Sequence, residues 1–348
     1  MTGNPLLREI LEQPEALRRI YAAYIDQENP ALQAAAELLR RSQQVIFTGM
    51  ATSEYANYPA SILLAQNAKP NFVYDVSELL YYHLPVLYKA GSCLVLVSQS
   101  GESAEIVHIL SEVKGKLPVV GVFNNPDSYL ARHCDIGLPI YAGPQLACGS
   151  KTNLSTVAVL LLLATATLEH DLQAAGERLL AAAESIERFL DGWIEEVDPL
   201  ADFLHGAAYT VFLGRGPGRA SAAFTATLFR EVPKVPAEGM SAALFRHGLW
   251  EMILPDHRVV IFAPQGDTHS MLVRLAEDLL ALGVPVLVVT NTGVNLEKAC
   301  VLELESHPEL WAPLVDMVPL QLAGYLLAER RGIEPGKLVI STYVTTVE

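Results

Sequence analysis

The sequence predicts an α/β protein of two tandem three-layer αβα domains, each built on a five-stranded parallel sheet. Three observations predict it. Short apolar runs rich in β-branched residues alternate with helical patterns of ten or more residues, the signature of strands joined by crossover helices. The runs are apolar at successive positions, as strands covered on both faces must be. The same order of elements then occurs a second time. With 348 residues and 51% hydrophobic content the chain is long enough for two cores.

Residues 1–40 read as a helical segment, in which Gln13-Pro14-Glu15-Ala16-Leu17 places proline in a first helical turn, where its missing N–H is tolerated. Residues 41–168 read as the first domain, with strands at Val45–Thr48, Asn71–Asp75, Cys93–Ser98, Val119–Asn124 and Ile136–Ile140. Its last apolar run, Thr156 to Leu168, is shorter than the roughly 20 residues a bilayer requires. It ends in Glu169-His170-Asp171 and reads as a buried helix. Residues 169–199 read as a charged amphipathic helical linker. Residues 200–331 read as the second domain, with strands at Thr210–Gly214, Lys234–Ala237, Arg258–Ala263, Val284–Thr290 and Val301–Leu304, and residues 332–348 as a tail.

The two domains read as copies of one unit. VIFTGMATS opens the first and TVFLGRGPG the second, CLVLVSQSGES pairs with RVVIFAPQGDT, and PVVGVFNN pairs with PVLVVTNTG. A period of about 165 residues makes each copy a domain and not a solenoid repeat.

A net charge of −15, with 24 basic residues and no basic cluster, opposes binding of nucleic acid. The four cysteines, Cys93, Cys134, Cys148 and Cys300, follow no metal or disulfide spacing, which predicts a reduced cytoplasmic protein without zinc. Glu9 and Glu12 interrupt the N-terminus and no apolar signal core accompanies them, so neither secretion nor a membrane partner is expected.

In open parallel sheets ligands bind beyond the carboxyl ends of the strands, where loops meet helix N-termini. Three turns qualify. Ser98-Gln99-Ser100-Gly101-Glu102-Ser103 lies between a strand and the helix Ala104–Val113, and its hydroxyls, amide and N–H groups suit a phosphate on a helix N-terminus. An ordinary serine N-cap is the competing reading. Gly49-Met50-Ala51-Thr52-Ser53 can present Thr52 and Ser53 to the same anion or only permit tight strand-to-helix packing, and Gly149-Ser150-Lys151-Thr152-Asn153 can present Ser150 to sugar oxygens or use it as a plain cap. No metal and no cofactor is required. The second copy has Pro264-Gln265-Gly266-Asp267-Thr268 instead, where Asp267 would repel an anion. It carries Glu231 and His247, a carboxylate and an imidazole of the kind used for proton transfer. Each has a plainer reading, Glu231 as a solvated helix residue and His247 as a structural group.

Taken together, EILEQPEALRR, SQSGES, AGPQLACGSKT, LFREVPKVPAEGMSAALFRHG and the final VTTVE resemble blocks of the double sugar-isomerase (SIS) domain family, which has a flavodoxin-like fold. Within that family the chain resembles the isomerase half of glucosamine-6-phosphate synthase and stand-alone sugar-phosphate deaminases and fructosamine-6-phosphate deglycases. The resemblance implies that Thr52, Ser98, Gln99, Ser100 and Ser103 hold a phosphate and that Ser53 and Ser150 lie near the sugar. It implies that Glu231 moves a proton between C1 and C2, and that His247 assists ring opening from a neighbouring subunit, so that a homodimer shares its sites. The tail then lies near the active site. Two departures stand out. The chain begins Met1-Thr2-Gly3 with no glutaminase domain, so synthase activity is not expected. The family's Schiff-base lysine near the C-terminus is also missing, its position falling on Tyr343 or Ile340, with Lys337 the only lysine close by. The expected activity is that of a sugar-phosphate deaminase, deglycase or isomerase. A sugar-phosphate sensor without chemistry is the alternative.

Overall fold

A computed structural model describes residues 3–340. Two five-stranded sheets are present, and every strand pairing in both is parallel. The strands of the first are β1 (Gln44–Gly49), β2 (Asn71–Asp75), β3 (Ser92–Val97), β4 (Val119–Phe123) and β5 (Ile136–Pro139). Those of the second are β6 (Tyr209–Gly214), β7 (Ala237–Ser241), β8 (His257–Ala263), β9 (Val286–Thr290) and β10 (Cys300–Glu303). The spatial orders are β2-β1-β3-β4-β5 and β10-β9-β8-β6-β7. Numbered from its own first strand, each sheet is thus 2-1-3-4-5. In that order the chain reverses direction of winding between the first and third strands, and the crevice beyond their carboxyl ends is where ligands bind in such folds.

One expected strand is displaced. Lys234–Ala237 is not a strand; it leads into β7, which begins at Ala237. Lys234 has a positive φ of 56°, so the chain turns there, and Pro236 has no N–H to give a ladder. The real strand is the small-residue stretch Ala237-Glu238-Gly239-Met240-Ser241. A Cβ on Gly239 would lie 2.3 Å from the Ala222 carbonyl oxygen of the helix Gly218–Glu231, so glycine permits strand and helix to touch backbone to backbone.

The N-terminal helical segment is broken into helices Pro5–Leu11, Gln13–Tyr21 and Pro30–Arg41, with a wide π turn at Ala22–Asp26. Asparagines start two of them: Asn4 Oδ1 accepts from Leu7 N, and Asn29 Oδ1 accepts from Ala31 N. The apolar run after β5 forms the helix Lys151–Thr167, buried along its whole length. The expected linker is two helices, Leu172–Leu190 and Trp193–Leu204, broken at Gly192, whose φ is 84°. The second extends beyond residue 199, with Pro199 inside it.

Two compact units follow. One contains the first sheet, with Gln13–Gln145 and Lys151–Ala183; the other contains the second sheet, with residues 3–12, Leu146–Ser150 and Glu184–Leu338. Each has its own apolar core. Ile46, Leu94, Leu96, Ile106 and Ile109 lie at the centre of one, and Val211, Leu213, Phe245, Ile261 and Val288 at the centre of the other. Among the described residues no helix is long and apolar enough to cross a membrane, and no cluster of His, Cys, Asp or Glu is arranged to hold a metal ion.

Candidate active site

In the first unit the crevice between β1 and β3 is lined by the two loops that sequence analysis singled out. After β1 the chain turns at Ala51, a non-glycine residue with a φ of 49°, and starts the short helix Thr52–Tyr55. Ser53 is buried and Thr52 half-buried. The Thr52 carbonyl accepts a 3.0 Å bond from Asn153 Nδ2, which ties this loop to the first turn of the helix Lys151–Thr167.

After β3 the loop is held by its own backbone. Ser98 N donates to Val122 O, and Gln99 O accepts from Asn124 N at 3.0 Å. Ser98 Oγ accepts from Gly101 N at 3.0 Å, so its hydroxyl proton remains to be donated elsewhere. Gly101 has a φ of 68°, and a Cβ there would lie 2.3 Å from Ser128 Oγ; glycine is required on both counts. Glu102 turns away from the crevice mouth and accepts from Tyr129 N at 2.8 Å.

Two donors of this loop have no partner among the described residues. Gln99 Nε2 is buried and makes no hydrogen bond. Ser103 stands at the N-cap of Ala104–Val113 with extended backbone, yet its side chain makes no capping bond. The plain-cap reading of this serine is therefore not what the geometry shows. The first-turn N–H groups of a helix have no intrahelical acceptors and carry the positive end of its dipole. An anion seated there would meet Ser98, Ser100 and Ser103 hydroxyls, the Gln99 amide and main-chain N–H groups, with no basic side chain needed.

The third expected turn is divided between the two units. Lys151, Thr152 and Asn153 belong with the first sheet, whereas Gly149 and Ser150 cluster with the second. Ser150 is fully buried and its hydroxyl has no hydrogen-bond partner among the described residues.

In the second unit Glu231 is the last residue of the helix Gly218–Glu231. Burial pushes its carboxyl up from the ordinary value of 4.5, and the charges of Lys234 and Arg230 partly oppose this. Lys234 Nζ donates to the Glu231 main-chain oxygen at 2.5 Å and to Lys337 O at 3.1 Å. Around it the unit gathers distant pieces of chain. Asn4 Nδ2 donates to Pro335 O at 3.0 Å, and the buried Glu9 carboxylate accepts from Leu146 N and, at 3.2 Å, from Ala147 N. Burial raises the thiol pKa of Cys148, and the charges of Glu231 and Glu9 raise it further, so this cysteine is an unreactive thiol.

His247 is exposed and caps the short helix Ala242–Arg246 that follows β7. Glu231 precedes β7 and His247 follows it, so within one chain they lie at opposite ends of that strand. The structure does not bring them together. Lys337 is exposed and its ammonium is paired with Glu334 Oε2 at 2.8 Å, which raises its pKa and keeps it protonated. Ile340 is fully exposed, and Tyr343 and the final VTTVE lie outside the described residues.

Sequence reasoning gave Glu9 and Asn153 no positioning role and did not single out Glu309. The first two hold candidate segments in place, and Glu309 lies over the second-domain loop. None was marked by spacing; each acts across more than 40 residues of chain.

Comparison with known proteins gives one consistent result. A family model described as the SIS domain matches residues 38–167 and again 204–329. The isomerizing glutamine–fructose-6-phosphate aminotransferase of Pyrococcus horikoshii is 29% identical over 339 residues, covering 95% of this chain and 56% of its own length. That of Shouchella clausii is 28% identical over 347 residues, with coverage of 95% and 56%. The chain thus spans little more than half the length of these curated relatives. The solved C-terminal domain of glucosamine-fructose-6-phosphate aminotransferase from Francisella tularensis has a TM-score of 0.87 at 25% identity, covering 97% of this chain and 98% of that one. Glucosamine-6-phosphate deaminase from Thermotoga maritima shares the fold, with a TM-score of 0.78 at 21% identity and coverage of 99% and 100%.

Proposed function

This chain belongs to the SIS domain family, with two copies of the domain in tandem, and from that premise we propose that it is an enzyme acting on a phosphorylated sugar or amino sugar. The observation that carries the reading is the β1/β3 crevice, where the buried Gln99 amide has no partner among the described residues and Ser103, at a helix N-cap, makes no capping bond. Thr52, Ser98, Gln99, Ser100 and Ser103 take the phosphate, and Ser53 and Ser150 take sugar hydroxyls. The names of the relatives, an aminotransferase and a deaminase of hexose 6-phosphates, support aminated sugars as the substrate class.

Glu231 is the group that shuttles a proton between C1 and C2. Its raised pKa suits it to both halves of that task, since a base whose pKa approaches the working pH accepts and returns a proton readily. On an aminated aldose the shift gives an imine or enolamine, which water hydrolyses to amine and ketose phosphate. On a plain sugar phosphate the same shift is aldose–ketose isomerisation. Lys337 stays protonated and ion-paired, which supports a route through a noncovalent enediol or enolamine and no imine to the protein.

Ring opening falls to His247 of the partner subunit, because the chain's own His247 and Glu231 are at opposite ends of β7. The exposed Leu244 and Leu249 beside it supply apolar surface for a homodimer. Sedimentation is expected to show a dimer at micromolar concentration; a fully active monomer contradicts this part of the proposal.

A second reading, a sugar-phosphate sensor without chemistry, is favoured by the missing Schiff-base lysine. Incubation with a panel of amino-sugar and fructosamine 6-phosphates in deuterated water separates the two. The enzyme releases ammonia or amine and places deuterium at C1 or C2. Tight binding with neither product nor exchange across the panel selects the sensor.

A further inference from the structure

The second domain has the same 2-1-3-4-5 sheet and therefore the same crevice, between the loops leaving β6 and β8. It is not open. Glu309, on the segment that follows β10, projects its carboxylate into it. An ideal Cβ on Gly266, in the loop after β8, would lie 2.2 Å from both Glu309 Cδ and Oε2. One on Gly216, in the loop after β6, would lie 3.8 Å from Oε1. The main-chain N–H of Asp267 points at Oε2, at 3.4 Å. The carboxylate thus lies against both crevice-forming loops, just ahead of the helix His269–Ala281.

The position matches that of the first-domain loop residue by residue. Aligning CLVLVSQSGES with RVVIFAPQGDT sets Gly266 against Gly101, Asp267 against Glu102 and Thr268 against Ser103. Glu102 bends away from its crevice to the Tyr129 amide, whereas in the second domain an acidic side chain from elsewhere enters the crevice itself. Thr268 Oγ1 is buried and has no hydrogen-bond partner among the described residues, a hydroxyl kept at the place where Ser103 stands in the first domain. Burial and the charge of Asp267 both raise the Glu309 carboxyl pKa, while the Asp267 N–H lowers it.

We propose that the second crevice is an anion cradle whose occupant is the chain's own Glu309 carboxylate, which excludes phosphate there and confines phosphate binding to the first domain. The inference goes beyond the proposed reaction, and only its confinement of phosphate to the first domain rests on the phosphate site proposed there.

The test uses inorganic phosphate and the full chain, in a Ser98→Ala/Ser100→Ala background that disables the first loop. With Glu309 present, equilibrium dialysis is expected to show no phosphate bound at millimolar concentration. Glu309→Ala in the same background is expected to gain one site per chain, tightening phosphate binding tenfold or more. Crystals of it grown in phosphate should place the anion on the N–H groups of Gly266 and Asp267. No gain in a folded Glu309→Ala protein overturns the proposal, as does phosphate bound on Gly266 while Glu309 is intact. Phosphate retained in the Ser98→Ala/Ser100→Ala protein at the β1/β3 loops counts against the first-domain assignment alone. Should Glu309→Ala not fold, the Asp267 amide shift decides: its pH titration in wild type should carry a component that is lost in Glu309→Gln. An amide indifferent to that substitution also overturns the proposal.

Discussion

The two domains share a sheet order and differ in how each fills its crevice. In the first, the loop after β3 carries the neutral donors Ser98, Gln99, Ser100 and Ser103, which we propose take the anion, and it is shaped by main-chain bonds to Val122 and Asn124 and by the Ser98 hydroxyl. In the second, Pro264 and Gln265 stand where the first has Gln99 and Ser100, and a carboxylate lies on the glycine. The difference extends to the helix that follows the fifth strand. In the first domain it is tied to the β1 loop by a neutral amide, Asn153 to Thr52 O at 3.0 Å. In the second the tie is an acid, Asp316, which accepts from Ser221 Oγ at 2.8 Å and is fully buried. One fold can thus present neutral donors in one copy and acids in the other, because loops after the strands vary without disturbing the sheet.

Division of labour predicts its largest effect at Glu231. Glu231→Gln keeps shape and removes the base, so kcat should fall by about 10²-fold or more while sugar-phosphate affinity stays within a few-fold. Isothermal titration with and without turnover separates the two quantities. Undiminished turnover would remove Glu231 from the mechanism. Because burial raises its pKa, the acid limb of the wild-type rate profile should lie above the ordinary 4.5 of a glutamate. Activity is lost as pH falls through that limb, since the base must be ionised.

Asp316 sharpens the contrast between the acid tie and the amide tie. Burial raises its pKa from 3.8 to about 8, so the folded protein keeps a proton that the unfolded chain has released. The stabilisation is complete below the unfolded value. It declines by roughly 1.4 kcal/mol per pH unit as pH rises toward the folded value, and levels off above it. Asp316→Asn should flatten this slope and stabilise the second domain at pH 8. Urea midpoints at pH 5 and pH 8 read it directly; an unchanged slope in the mutant would show that Asp316 titrates normally.

A glycine pair compares the two loops themselves. Gly101→Ala meets both a positive φ and Ser128, and should cost about 1–3 kcal/mol of stability. Gly266→Ala meets chiefly the end of a flexible glutamate side chain, which can move aside, and should cost less. Melting temperatures of the two variants in reversed order would break the comparison.

An effect of similar size concerns binding. Losing one hydroxyl contact to a charged group costs roughly 1.5–3 kcal/mol, so Ser100→Ala should weaken sugar-phosphate binding about tenfold or more. The aligned change in the second domain, Gln265→Ala, should leave affinity unaltered. Equal losses in both would mean that the second crevice also contacts the ligand.

Much of this was legible in the sequence because it is periodic or local. Nine of the ten strands begin within two residues of where apolar runs place them, since a strand buried on both faces must be apolar at every position. β7 escaped because Ala237-Glu238-Gly239-Met240-Ser241 has no such run; it is a strand because Gly239 lets it lie on a helix backbone, a tertiary contact. The SQSGES loop was legible because its donors and its strand-to-helix setting are contiguous.

The sequence by itself determined the doubled α/β architecture and the contiguous polar loop Ser98–Ser103, between a strand and a helix, that we propose as the phosphate seat. Tertiary structure alone decided which polar groups have partners. It left Gln99 Nε2 and Ser150 Oγ without them, buried Glu231 enough to raise its pKa, put His247 at the far end of β7, and laid Glu309 on Gly266. The physical reason is that periodicity and turn chemistry act within a few residues. Desolvation and hydrogen-bond satisfaction depend on groups that chain closure brings from far away, as Glu9 is brought to Ala147.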